Sequence, residues 1–125
     1  EEISKIGIVP VIAIDDVADA LPLAKALMDG GIPCAEVTFR TEAAEESIRI
    51  MAEKFPEMLI GAGTVLTTEQ VDRVLSAFSK DDILLLQNEI NNLDYIVKKA
   101  YQAGMKIILN PSRKCVSSLN TMQHL

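Results

Sequence analysis

The sequence predicts an α/β fold: a parallel sheet of about five strands in βα repeats. Three observations carry that prediction. Five short apolar runs of strand type alternate with four stretches whose apolar residues recur at helical spacing. The connections between them are short, and right-handed crossovers lay the strands of such repeats parallel. Hydrophobic residues make up 49% of the chain but aromatics only 4%, with no Trp, so the core must be aliphatic, as in a helix-covered sheet.

Ile6 to Ile14 (IGIVPVIAI) is the first apolar run. Asp15 or Asp16 can cap a helix carrying Val17, Leu21, Ala24 and Met28 on one face, closed by Gly30-Gly31. Cys34 to Phe39 is the second strand. Thr41 is positioned to cap a helix with Ala44, Ile48, Met51 and Phe55 inward and Glu42 near its N-terminal dipole. Met58 to Gly61 is the third strand. Thr67 with Gln70 forms a capping-box pattern before Val71, Val74, Leu75 and Phe78. Asp82 to Gln87 is the fourth strand. Asn91 or Asn92 caps a helix with Leu93, Ile96, Val97, Ala100 and Tyr101, ending at Gly104, and Met105 to Asn110 is the fifth strand, stopped by Pro111. The predicted organisation is one α/β domain over residues 1–111 followed by an irregular tail, 112–125, which shows no sustained period.

The 125 residues suffice for one domain burying roughly two thirds of its unfolded surface. A net charge of -6 argues against nucleic-acid and anionic-membrane partners. No apolar run approaches the roughly 20 residues of a membrane span, and the N-terminus lacks a signal-peptide pattern. Cys34 and Cys115 fit a reduced, cytoplasmic protein. His124 stands alone and neither cysteine has ligand spacing to it, so no metal site is expected. Gly61-Ala62-Gly63 lacks the third glycine and the acidic partner of a dinucleotide fingerprint. The Glu42, Glu45, Glu46 and Glu53 cluster reads as the solvated face of a helix.

Two strand ends carry polar residues that a parallel sheet normally excludes: Glu36-Val37-Thr38-Phe39-Arg40-Thr41 and Gly61-Ala62-Gly63-Thr64-Val65-Leu66. Period-two alternation puts Glu36, Thr38 and Arg40 on one face. A carboxylate and a guanidinium there lose hydration unless they find partners or a ligand. Two readings follow: an active site, or a mutual ion pair beside two turn-forming glycines.

These two segments, with Val9-Pro10-Val11-Ile12, Ala20 to Leu27 and Gly30-Gly31, resemble the 2-keto-3-deoxy-6-phosphogluconate / 4-hydroxy-2-oxoglutarate aldolase family over about Ile8 to Gln70. That family consists of class I aldolases on a (β/α)8 barrel, of which the resemblance covers the first portion. It implies a lysine that forms a Schiff base with a keto acid, the iminium serving as electron sink for carbon–carbon cleavage. It makes Glu36 the general acid/base and Arg40 the grip on the substrate carboxylate. Thr64, with the Gly63 backbone, would hydrogen-bond the same carboxylate or the carbonyl. No cofactor is implied.

The lysine has no obvious place. Lys25, Lys54, Lys98 and Lys99 fall on predicted helices, Lys80 in a loop, Lys106 at the N-terminal end of its strand and Lys114 in the tail. A chain without that amine is expected to be truncated relative to the family and inactive alone.

Residues from about 79 to 111, in Asp82 to Ile90 and Ala100 to Pro111, resemble the middle of ribokinase-like sugar kinases. Glu89 then matches a position that contacts sugar hydroxyls, although a plain exposed strand-end carboxylate is the favoured reading of the residue itself. The Gly-rich anion-hole motif and catalytic Asp of those kinases are absent, so phosphoryl transfer is not expected. The combined reading is a hybrid: 1–70 aldolase-like, 79–111 kinase-like, with the junction inside the 67–78 helix. So few strands imply a partial TIM barrel or a flavodoxin-like layer. Its open edges make a homo-oligomer plausible on physical grounds. The expected partner is a small keto acid or sugar acid. The competing functions are a Schiff-base aldolase, a sugar-kinase fragment, and a non-catalytic α/β module.

Overall fold

The computed structural model describes residues 2–87 and 91–110. The chain divides into two compact units, Glu1–Val65 and Leu66–Leu125.

In the first unit a short helix α1 (Glu2–Ile6) precedes strand β1 (Val11–Ile12). The expected strand from Ile6 to Ile14 is therefore much shorter. Gly7, at φ +83°, turns the chain after α1, and its N–H bonds the Ile3 carbonyl. Pro10 has no N–H to give a ladder, and only its carbonyl takes part, accepting from Glu36. Asp16 accepts from the Ala18 N–H at 2.9 Å and opens a 3-10 turn (Val17–Asp19) that runs into α2 (Ala20–Asp29). Gly30 and Gly31 close α2, the latter at φ +74°, where a side chain would be strained.

Strand β2 (Cys34–Thr38) follows, then α3 (Ala44–Lys54) and β3 (Leu59–Gly63). The strands form one parallel sheet in the order β1-β2-β3, with Val11, Glu36 and Gly61 abreast and Thr38 opposite Gly63. Ala35 and Val37 point to the helix-covered face and are buried with Ala20 and Ala24 of α2 and Ala44, Ser47 and Met51 of α3. Small residues on both helices let them lie close to the sheet and to each other. Thr41 does not cap α3; Ala43 holds the cap position without a side-chain bond, and the Thr41 hydroxyl donates instead to the Ile14 carbonyl at 2.6 Å.

The second unit contains α4 (Thr68–Ala77), β4 (Ile83–Gln87), α5 (Leu93–Gln102) and β5 (Lys106–Asn110). The Thr67–Gln70 capping box is present in full. Asn92 sits at the start of α5 at φ 59°, but its side chain makes no cap bond. Strands β4 and β5 pair in parallel, Ile83 opposite Lys106 through Gln87 opposite Asn110. Leu84, Leu86, Ile107 and Leu109 share one face of that ribbon, and buried Leu86 marks it as the side facing Ile96, Val97 and Ala100 of α5. Tyr101, expected in that packing, is exposed.

The mixed α/β architecture and parallel pairing agree with the sequence. The described strands hydrogen-bond as a three-stranded and a two-stranded parallel sheet, one in each unit. The β3 ladder stops at Gly63, where Thr64 turns left-handed at φ 55°, and the β4 ladder is made with β5. Pro111 and the 112–125 tail lie outside the described residues.

Candidate active site

The candidate residues Glu36, Arg40, Gly63 and Thr64 all belong to the first unit. Alternation along β2 puts Glu36 and Thr38 on the face opposite the helices, with Gly61 and Gly63 beside them on β3. Glu36 is half-buried, and its side chain leans along the sheet toward the C-terminal strand ends. It passes over Gly63: a Cβ built there would lie 2.6 Å from Glu36 Cδ and 2.8 Å from Cγ, with Oε1 closer still.

Thr38 shares this face but is committed elsewhere. It is 3% exposed, and its hydroxyl donates to the Ile12 carbonyl at 3.1 Å. Together with the Thr41 bond to Ile14, it ties the end of the two-residue β1 to β2. The sequence offered Thr38 only as a polar residue facing the same way as Glu36. Nothing in the sequence could have shown that Thr38 and Thr41 serve one segment, because their partners lie 26 and 27 residues away in the chain.

Strand β2 ends at Thr38, so Arg40 is in an exposed turn rather than on the strand face. That turn is held beside β3 by a Phe39 N–H to Gly63 carbonyl bond of 2.8 Å. Arg40 and Thr64 each follow one member of this pair and stand at the same end of adjacent strands. Among the described residues no ion pair joins Glu36 to Arg40, and neither side chain has a hydrogen-bond partner. The Thr64 hydroxyl is likewise unpartnered there. The mutual ion pair considered from the sequence is therefore not what holds these groups.

Thr64 is the strained member. A β-branched residue at φ 55° is a steric outlier that persists only where its surroundings force it. The strand end thus presents a carboxylate, a cation and a hydroxyl that have no partner among the described residues. Chemically, such a set can bind an anionic group and exchange a proton with it.

Glu89 lies outside the described residues, as do Cys115, His124 and Lys114. Cys34 is buried, its Sγ donating to the Ile8 carbonyl at 3.2 Å. Among the described residues no cluster of three His, Cys, Asp or Glu could hold a metal, and no helix is long and apolar enough to cross a membrane. Lys5, Lys25, Lys54, Lys98 and Lys99 are on helices, Lys80 precedes β4, and Lys106 is the exposed first residue of β5. No described lysine occupies the C-terminal end of a strand.

A sequence-family model described as KDPG and KHG aldolase matches residues 1–83. The chain belongs to that aldolase family. It is 48% identical over 85 residues to the 2-dehydro-3-deoxy-phosphogluconate aldolase of Haemophilus influenzae, covering 68% of this chain and 39% of the relative. The enzyme of the same name from Treponema pallidum is 46% identical over 77 residues, covering 62% and 37%. The chain therefore spans about two fifths of the length of these curated aldolases. Among solved structures it resembles the KDPG aldolase of Legionella pneumophila, with pyruvate captured as a covalent carbinolamine, at a TM-score of 0.68 and 34% identity. That match covers 93% of this chain and 53% of the other. The Zymomonas mobilis aldolase with 3-phosphoglycerate gives a TM-score of 0.67 and 32% identity over 94% and 53%. Likeness to aldolases in structure thus extends past the sequence match.

Proposed function

We propose that the Glu36–Arg40–Thr64 strand end is the keto-acid cleft of a class I aldolase, and that this chain by itself binds the keto acid without cleaving it. The observation that carries the reading is the half-buried Glu36 carboxylate, without a partner among the described residues and lying over Gly63, next to Thr64 in its left-handed conformation. Family membership supports it, as does the carbinolamine of pyruvate in the Legionella relative.

In the complete reaction an amine adds to the C2 carbonyl of 2-keto-3-deoxy-6-phosphogluconate or 4-hydroxy-2-oxoglutarate. Glu36 gives a proton to the departing hydroxyl, so water leaves and the iminium forms. As carboxylate, Glu36 then takes the C4 hydroxyl proton while the C3–C4 bond breaks into the iminium. That step releases an aldehyde and leaves an enamine, which is reprotonated at C3 and hydrolysed to the keto-acid product. Arg40 holds the substrate carboxylate as a fork of two N–H donors, and Thr64 adds a third donor. Glu36 and Arg40 cannot replace the covalent step, which needs a lysine at this strand end.

For residues 79–111 the sugar-kinase resemblance, with Glu89 touching sugar hydroxyls and the junction inside 67–78, is the alternative. Ribose binding that Glu89→Ala abolishes and Glu36→Ala spares would favour it. A cytoplasmic location follows from the same reading of Cys34 and Cys115.

The test uses the full chain with pyruvate. Amide shifts should move over residues 36–41 and 61–65. Arg40→Ala should weaken that binding roughly tenfold or more, the usual worth of a charge-assisted bond. Borohydride should trap no adduct by intact mass. A trapped adduct would overturn the claim that this chain lacks a competent lysine, and unmoved amides would overturn the cleft.

A further inference from the structure

We infer that Gly63 is the positioning residue for Glu36: its missing side chain is the seat in which the glutamate stem lies, and that seat aims the carboxylate at the strand end. Two glycines flank Glu36 on the same face, and the structure separates their roles. Neither Gly61 nor Gly63 has a positive φ, so neither is demanded by backbone conformation. A Cβ at Gly61, directly abreast of Glu36, would meet only the Ala35 carbonyl oxygen, at 4.0 Å. One at Gly63 would fall among Glu36 Cγ, Cδ and Oε1, closer than real Cβ atoms come. Gly63 is also buried and fixed by its pairing with Thr38 and by the Phe39 N–H on its carbonyl, so the backbone cannot retreat.

The glutamate must therefore give way if anything larger than hydrogen stands at 63. It is free to leave the space above Gly63, since no hydrogen bond or ion pair among the described residues holds it there. Position here is set by shape alone. The inference deepens the reading of Glu36 as the proton-transfer group, because aiming matters only if the carboxylate acts at that strand end; the steric coupling itself is independent of activity.

The experiment is a double-mutant cycle on the full chain, with Glu36 followed by carboxyl-carbon NMR. Gly63→Ala should destabilise the parent by no more than a few-fold in the unfolding equilibrium, since what must yield is the far end of a flexible, half-buried side chain, and should cost nothing in a Glu36→Ala background. In Gly63→Ala the Glu36 carboxyl resonance should move, while Gly61→Ala leaves it in place. A Glu36 carboxyl resonance that stays in place in Gly63→Ala, or moves as far in Gly61→Ala, overturns the proposal. Should Gly63→Ala fail to fold, the Glu36→Ala/Gly63→Ala double variant decides: a folded double upholds the proposal and an unfolded one overturns it. If the coupling is found but pyruvate perturbs no variant and not the parent, the seat stands and the keto-acid reading fails.

Discussion

Thr64 holds the site's strain. A β-branched residue in the left-handed region costs about 1–2 kcal/mol relative to ordinary backbone. Thr64→Gly is predicted to raise stability in a urea melt by roughly 0.5–1 kcal/mol, once the entropy of the added glycine is set against the strain relieved. It should at the same time weaken pyruvate binding. A variant that is more stable and binds equally well would mean the hydroxyl plays no part. Ser47 is the opposite case. It is fully buried in α3, and its hydroxyl has no hydrogen-bond partner among the described residues. Ser47→Ala removes that unsatisfied group and improves helix propensity, so a gain of about 1 kcal/mol is expected in the same melt, with binding unchanged. The polar pattern in β2 was readable as the mark of a site, but the division of labour was not. Thr38 and Thr41 tie down β1, and their hydroxyl partners are carbonyls some 26 and 27 residues earlier in the chain, while Glu36 has no partner among the described residues.

Local chemistry decided some elements and neighbours decided others. The Thr67–Gln70 box closes on itself within four residues, so it could be foreseen, and Thr67→Ala should cost about 1 kcal/mol. Thermal unfolding of the full chain checks this. The contact of α4 with α5 could not be foreseen. Asp72 accepts from the Tyr95 hydroxyl at 2.8 Å and pairs with Lys99 at 2.9 Å, and the Lys99 ammonium also lies over the Tyr95 ring. The Lys99 hydrogen bond, then the Tyr95 hydroxyl, holds the Asp72 carboxyl below its usual range, and Asp72 in turn raises Lys99. A depressed carboxyl adds stability that is present above its unfolded pKa and lost as pH falls through its folded one. A raised lysine adds stability present below its unfolded pKa and lost as pH rises through its folded one. The clamp is therefore complete between those limits and opens on acidification below the carboxylate range. Amide exchange in α5 should accelerate there, and Asp72→Asn should remove that pH dependence. The groups are exposed, so the effect is small and screened by salt.

At the scale of the whole molecule, apolar surface is left uncovered. Val11 is 65% exposed on the first sheet and Leu85 67% exposed on the second, accompanied there by Ile83 and Ile108. Parallel strands are ordinarily covered on both faces, and ladder edges with this much apolar surface invite pairing between chains. Self-association rising with concentration is predicted by sedimentation velocity, and Leu85→Lys should shift the distribution toward monomer without loss of helix content. An unchanged distribution would place the sticky surface elsewhere.

The order of helices and strands, their parallel sense and the aldolase ancestry of the front half were decided by the sequence itself. Hydrophobic period, caps and turn glycines act over a few residues, and the motifs lie in linear order. Only tertiary structure decided where β1 stops, how the strands divide between two sheets, and which polar groups stay free. Those outcomes depend on hydrogen bonds and steric contacts between residues distant in the chain, above all the Glu36 side chain over Gly63, where one glycine has meaning only beside the carboxylate that fills its space.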